Sequence, residues 1–131
     1  MATIKSYTDL EQSKKLAKIL PLESADMYWW PTSLRYYIEA MDDGDFNEEE
    51  GHVRAWSLAA LLDVLPKDKS IDCAITFGYY NGKGEYIEKW LCAFEKEGET
   101  TDDFIIETID GSNPVDACVD MILKLHELNL L

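Results

Sequence analysis

Residues 71–95 carry the pattern that most restricts the fold of this chain. Apolar and aromatic residues alternate with small or polar ones over 71–79 and again over 86–94. Between these runs, Asn-Gly-Lys-Gly at 81–84 is rich in residues that tolerate the positive φ angles of tight hairpin turns. A period of two is typical of a strand with one buried face. The pattern predicts a β-hairpin, and FIIETID at 104–110 predicts a third antiparallel strand beside it.

An amphipathic helix is predicted over residues 9–20. Leucines and isoleucine fall on one half of a helical wheel, and lysines and glutamate fall on the other. Thr8 and Glu11 have the spacing of a capping box, which predicts the beginning of the helix. Pro21 predicts its end, because the residue before a proline is disfavoured in helical conformation.

Two further helices are predicted on either side of the strands at 71–110. The segment AWSLAALLDVLP at 55–66 is apolar nearly all round, so the helix must be covered on more than one side. The segment NPVDACVDMILKLHEL at 113–128 has a broad apolar face and a narrow polar stripe. Asn113 is a favourable N-cap, and Pro114 suits the first helical position.

The remaining segments complete the predicted order of elements. Two aromatic runs, ADMYWW and SLRYYIEAM, predict a short hairpin whose rings cover a sheet. The acidic segment DDGDFNEEEG at about 42–51 predicts a loop. The sequence therefore predicts a single α+β domain over 1–131, in the order α-β-β-α-β-β-β-α. Its helices pack on a mainly antiparallel β-sheet as a single-layer sandwich.

The cysteines and histidines do not form a recognisable reactive pattern. Cys73, Cys92 and Cys118 are isolated in apolar surroundings, which predicts buried free thiols in a reducing cytoplasm. Cys118 and His126 are eight residues apart, or roughly 12 Å along a helix, which is too far for a nucleophile and its base. His52 and His126 lack metal-ligand spacing. We expect no catalytic residue, no cofactor and no metal site. The alternative is a small enzyme that uses carboxylates, or a metal held by His52 and neighbouring acids.

The chain has 26 acids against 12 bases, a formal net charge of −14. This charge repels phosphate backbones, so we expect no direct binding to nucleic acid and favour a basic protein partner. The candidate partner surface consists of the acids of the predicted loop, namely Asp42, Asp43, Asp45, Glu48, Glu49 and Glu50. The same cluster supports an alternative, an acidic mimic that occupies the nucleic-acid groove of a host nuclease or polymerase. No apolar leader and no run near ~20 apolar residues occur, which predicts a cytoplasmic protein that does not cross a membrane.

The predicted helices at 55–66 and 113–128, with strands between them, resemble a known group. They resemble small phage and prophage proteins described as phage ABA-sandwich domains, in which helices flank an antiparallel sheet. The matching positions of the last helix are Pro114, Ala117, Cys118, Leu123 and Lys124. The resemblance implies the same fold and a mobile-element origin, and it supplies no catalytic residue.

These observations together predict a non-catalytic interaction or accessory protein of phage or prophage origin. A second copy of the chain is one expected partner. The apolar surface of residues 55–65, with Leu123, Leu130 and Leu131, could form a self-complementary patch.

Overall fold

The computed structural model describes residues 5–41, 44–98, 104–110 and 113–131. The fold is α+β with antiparallel pairing, as predicted. The elements in chain order are α1 (Leu10–Ala17), β1 (Met27–Pro31), β2 (Tyr36–Ala40), β3 (Val53–Ala55), α2 (Leu58–Val64), β4 (Ile71–Tyr80), β5 (Tyr86–Lys96), β6 (Phe104–Asp110) and α3 (Pro114–Glu127). Single 3-10 turns occur at Leu22–Ser24 and Glu48–Glu50.

The described strands form two three-stranded sheets rather than one. The first sheet has the order β2-β1-β3 and the second has the order β4-β5-β6. The two predicted hairpins are present, but β3, which pairs with β1, was not predicted. The predicted beginning of the second helix at Ala55 is wrong. Ser57 is the N-cap, because its side chain accepts a hydrogen bond from the Ala60 N–H at 3.2 Å.

The predicted capping box of α1 is displaced by one residue. Asp9 and Gln12 form it, not Thr8 and Glu11: the Asp9 carboxylate accepts from the Gln12 N–H at 2.8 Å, and the Gln12 side chain accepts from the Asp9 N–H at 3.1 Å. Thr8 is buried instead. Its hydroxyl lies 2.7 Å from that of Ser13 and accepts from the Trp56 N–H at 3.1 Å. Thr8 therefore ties α1 to the connection between β3 and α2.

Helix α3 is the centre of the hydrophobic core. Its predicted N-cap is confirmed, since Asn113 accepts from the Asp116 N–H at 2.8 Å. The helix packs against one face of the second sheet and against α2. Its buried residues are Pro114, Val115, Ala117, Cys118, Val119, Met121, Ile122 and Leu125. All of them except Pro114 form one cluster with buried residues of the other elements, including Leu16, Trp56, Leu61, Cys92 and Phe94.

The acidic segment is anchored on the first sheet from residue 44 onward; Asp42 and Asp43 lie outside the described residues. His52 stacks on the buried Tyr28 ring, with 5.1 Å between ring centroids, and Phe46 contacts the same ring edge-on at 5.8 Å. His52 Nδ1 accepts from the Asn47 N–H at 3.0 Å. The described part of the acidic segment is thus a turn that Phe46 and His52 anchor on the first sheet, rather than the unanchored loop that the sequence predicts.

Arg54 joins the first sheet to the end of α1. Its guanidinium donates to the carbonyl oxygens of Leu20 and Ala17, at 3.0 and 2.9 Å. The Arg54 Nε lies 3.2 Å from the Glu48 carboxylate as an ion pair, although the angle does not suit a hydrogen bond. Carbonyl groups at a helix end have no hydrogen-bond donor within the helix, so Arg54 supplies the donors that the end of α1 lacks.

Arg54→Met removes this contact and leaves two carbonyl groups without a donor. We expect the free energy of unfolding to fall by about 2 kcal/mol, since an unpaired buried polar group costs about 1–3 kcal/mol. Urea unfolding followed by circular dichroism measures this change. The control is Arg35→Met, because the Arg35 side chain is exposed and lies over the Tyr37 ring, 4.4 Å from its centroid. Equal losses in the two variants would contradict the assignment.

Candidate functional site

The acidic residues of the predicted partner surface differ in their contacts. Asp45, Glu48, Glu49 and Glu50 are all exposed. Glu48 pairs with Arg54, and a Glu50 carboxylate oxygen lies 3.8 Å from His52 Nε2. Two of these four acids therefore face basic or imidazole groups of the same chain, which partly neutralise their negative charge.

The two histidines lie in different environments. His52 is held by Tyr28 and Asn47, and His126 is exposed near the end of α3. Cys118 is fully buried. Across the described ranges, no group of three or more His, Cys, Asp and Glu side chains is arranged to hold a metal ion.

The three cysteines, which are isolated in the sequence, converge in the fold. Cys73 on β4 and Cys92 on β5 lie on the face of the sheet that α3 covers, and the Cys92 thiol interacts with those of both Cys73 and Cys118. The sequence contained only part of the signal for this convergence. Cys73 and Cys92 fall on the apolar phases of neighbouring strands, and Cys118 falls at the centre of the apolar face of the helix.

The environment of these thiols makes them poor nucleophiles. The contact with Cys118 raises the pKa of Cys92 to about 12, with burial adding to it and the contact with Cys73 opposing it. The contact with Cys92 and then burial raise the pKa of Cys73 far above its ordinary value. Since the thiolate is the reactive form, both groups stay protonated and inert at neutral pH. The cluster is best explained as core packing.

A cluster of charged and amide groups joins the beginnings of α1 and α3. Lys5 Nζ lies 2.8 Å from Asp116 Oδ1 and 3.1 Å from Asp9 Oδ2. Gln12 Nε2 donates to the same Asp116 oxygen at 2.5 Å, and Asn113 Nδ2 donates to the other at 2.7 Å. Both oxygens of Asp116 are therefore occupied by donors, which suits a tether between helices better than a general base.

Two acids one turn apart on α3 have opposite pKa shifts. Burial alone would raise the pKa of Asp116, but hydrogen bonds from Lys5, Asn113 and Gln12 together lower it. Burial raises the pKa of Asp120, and the nearby charges of Asp116 and Asp110 add to this effect against the opposing influence of Lys15. Ionisation therefore stabilises the fold at Asp116 and destabilises it at Asp120.

The second sheet has an exposed face that α3 does not cover. We call it the outer face; it consists of Asp72, Ala74, Thr76, Leu91, Ala93, Glu95, Ile105, Glu107 and Ile109. Ile105 is 56% exposed and Ile109 is 45% exposed, although both are aliphatic. Neither belongs to the core cluster on the other side of the sheet.

The strand register places these residues in three rows across the outer face. Leu91 lies between Thr76 and Ile109, and in the next row Ala93 lies between Ala74 and Glu107. The third row is Asp72, Glu95 and Ile105. Three of the nine outer-face residues are acids and none is Lys or Arg. The surface thus has the small residues Ala74, Thr76 and Ala93 beside Leu91, which is only 9% exposed, and it has two exposed isoleucines along β6 with acids beside them.

The end of the β4–β5 hairpin carries a further set of exposed rings. Phe77 contacts Trp90 with 5.1 Å between centroids, and Tyr80 contacts Tyr86 at 5.3 Å. Gly78 has a φ of +83°, and the Tyr86 ring occupies the place that a Cβ at this position would need. Only glycine therefore suits this position, where the strand pairing shifts by one residue.

The chain matches no protein-family model, no curated protein and no solved structure. The resemblance of its last two long helical segments to phage ABA-sandwich domains therefore stays a prediction. Within the described residues, no helix is both long enough and apolar enough to cross a membrane.

Asp116→Asn and Asp120→Asn form a matched pair with opposite expected effects at pH 7. Asp116→Asn should lower the free energy of unfolding by about 1 kcal/mol, allowing for solvent screening of the lost charged contacts. Asp120→Asn should raise it, because it removes a carboxylate that the fold disfavours. Thermal and urea unfolding of both variants measure the changes.

The pH dependence gives a second readout of the same pair. A lowered folded pKa means that the contribution of Asp116 is complete above its ordinary value of 3.8 and is lost as pH falls through the folded value. Asp116→Asn should therefore weaken the acid-induced loss of stability in that range. Burial alone would lower the pKa of Lys5, but its contacts with Asp116 and Asp9 outweigh burial and raise this pKa. The contribution of Lys5 to the free energy of unfolding is therefore lost only as pH rises above its ordinary value of 10.5. Unchanged acid dependence in Asp116→Asn would contradict the tether.

The buried thiols should react only when the fold opens. With a thiol-specific disulfide reagent, we expect Cys92 and Cys118 to be unreactive in the native protein, and all three cysteines to react in urea. Cys118→Ala should lower the free energy of unfolding by about 1 kcal/mol through the cavity it leaves. His126→Ala is the control and should stay within about 0.5 kcal/mol. Rapid native labelling of Cys92 or Cys118 would contradict this account.

Proposed function

We propose that this chain is a non-catalytic interaction protein that binds a basic protein partner through the outer face of β4–β6. The observation that carries the proposal is the exposure of Ile105 and Ile109 on a sheet whose opposite face packs against α3. Exposed apolar patches rimmed by polar residues are characteristic of protein interaction sites.

The charge of the outer face supports the choice of a basic partner. Asp72 and Glu107 are exposed on it, and Glu107 makes no ion pair within the described part of the chain. The chain as a whole carries a net charge of −14, which speeds encounter with a basic partner and opposes encounter with nucleic acid. The aromatic end of the hairpin, with Tyr80 and Tyr86, offers further anchoring rings beside this face.

The phage or prophage origin and the cytoplasmic location are further parts of the proposal. The first is supported by the sequence resemblance alone. The second is supported by three free cysteines, which suit a reducing compartment. The alternative of a nucleic-acid mimic is supported by the exposed acids Asp45 and Glu49, which lie in the turn segment before β3 and not on the sheet that carries Ile105 and Ile109.

The experiment is affinity capture from host lysate with three variants of the tagged chain. Ile105→Ser combined with Ile109→Ser should reduce capture of the specific partner at least tenfold, since central apolar contacts contribute about 1–2 kcal/mol each. Leu34→Ser is the control, because Leu34 is 89% exposed and lies in the turn between β1 and β2, away from the outer face.

The third variant separates the two functions. Glu49→Gln combined with Glu50→Gln should leave capture unchanged if the partner binds the outer face. Loss of capture in this variant, with capture intact in the double isoleucine variant, would overturn the proposal and favour the mimic. Circular dichroism of each variant shows that the fold is retained.

A further inference from the structure

Within the described ranges, the edge of strand β6 that faces away from β5 is free. Strand β6 is the outermost strand in the order β4-β5-β6, and β5 pairs with it on one side. Among the described residues, no strand pairs with its other side. The backbone N–H and C=O groups that point away from β5 therefore present a template for another extended chain.

The two edges of this sheet differ in how well they accept a new strand. Strand β4 shifts its pairing between Phe77 and Tyr79, at a glycine with positive φ, and such irregularities hinder edge pairing. Strand β6 pairs in unbroken register from Phe104 to Asp110. It also contains neither Lys nor Pro, the residues that commonly protect an edge.

The side chains of β6 alternate between the core and the outer face. Thr108 faces the core, where its hydroxyl donates to the Ala117 carbonyl oxygen at 2.7 Å, and Ile106 packs against the core cluster. Ile105, Glu107 and Ile109 face outward. A strand added at the free edge would place three of its own side chains directly beside these three residues.

We infer that the basic partner binds by adding an extended segment to the free edge of β6 as a fourth strand. This inference rests on the proposed function and specifies its partner. Apolar side chains of the segment lie beside Ile105 and Ile109, and a Lys or Arg between them lies beside Glu107. The recognised pattern is apolar-x-basic-x-apolar. Because this pattern reads the same in both directions, it holds for parallel and for antiparallel addition.

A second copy of the chain suits this edge less well. If two β6 strands paired about their centres, each Glu107 would lie beside the other, and like charges directly opposite each other destabilise a strand pair. The net charge of −14 on each copy adds a long-range repulsion. A basic segment relieves both effects, so charge selects a different chain as the occupant.

The test uses synthetic peptides and the full chain labelled with ¹⁵N. The probe is acetyl-TVTKTVT-amide, which has two valines and a lysine on one face. We expect it to shift the amide resonances of β6 selectively and to slow their hydrogen exchange. Acetyl-TVTETVT-amide should bind about fivefold more weakly or worse, given the usual energy of a cross-strand charge pair.

Backbone methylation separates edge pairing from simple side-chain contact. An added strand directs the N–H groups of alternate residues toward β6 and the others toward solvent. We therefore prepare the lysine peptide with N-methyl groups on one alternate set or on the other. One methylated peptide should lose at least tenfold in affinity, since it loses several backbone hydrogen bonds to β6, and the other should be much less affected.

A charge exchange in the protein tests the pairing with Glu107. Glu107→Lys should weaken binding of the lysine peptide and strengthen binding of the glutamate peptide, each by about fivefold. Glu49→Lys makes the same change in net charge in the 3-10 turn before β3 and should shift both affinities much less. Equal behaviour of the two variants would overturn the assignment to Glu107.

Other outcomes overturn the inference of edge pairing without deciding the proposed function, which the capture experiment tests. Equal binding of both methylated peptides would place the contact on side chains of the outer face. Edge pairing is also refuted if the lysine peptide leaves β6 unshifted up to its solubility limit. A dimer in sedimentation equilibrium with protected β6 amides would assign the edge to a second copy. The proposed function itself fails only if partner capture is independent of Ile105 and Ile109.

Discussion

The packing of α3 on one face of β4–β6 is the contact on which the rest of the structure depends. Eight residues of this helix are buried, and seven of them form one cluster with residues of the second sheet, α2 and α1. A three-stranded sheet has two faces, and α3 covers only one of them. The exposed isoleucines of β6 follow directly from this arrangement, because the same strand must contribute Ile106 and Thr108 to the core and Ile105 and Ile109 to the other side.

The first half of the chain joins this core through polar contacts between neighbouring elements. Thr8 links α1 to the Trp56 backbone, and Arg54 links β3 to the end of α1. Lys5 and Gln12 then link α1 to Asp116 at the beginning of α3. Groups at a helix end lack partners within the helix, and these contacts lie at or beside such ends. The buried polar side chains of this acidic chain are therefore found near helix beginnings, where the backbone offers them partners.

The sequence predicts features that depend on neighbours along the chain. The N-cap of α3 and the hairpin turn at 81–84 are local, so both were predicted correctly. The capping box of α1 was not, because Thr8 has its partners in Ser13 and in the distant Trp56. A three-residue strand such as β3 has too short a pattern to be recognised.

The same difference between local sequence patterns and contacts between distant residues applies to the candidate site. FIIETID predicts a strand, and Ile105 and Ile109 are expected in a buried face by their chemistry alone. Which face of the strand is buried depends on where α3 lies, and the position of α3 is set by the tertiary structure. The convergence of Cys73, Cys92 and Cys118 is of the same kind, since the alternation places each on an apolar face but does not say which faces meet.

Glu107 decides how the exposed edge should be understood. A charge between two isoleucines on an edge strand has two roles in proteins, to prevent pairing with further strands or to select among them. An acid that only prevented pairing would work against every strand, whereas in a chain of net charge −14 it works mainly against copies of itself. Toward a strand that carries a basic residue at the facing position, the same carboxylate is attractive. In the proposed binding mode, protection from self-association and recognition of a basic segment are therefore one property of this edge, and they have the same cause.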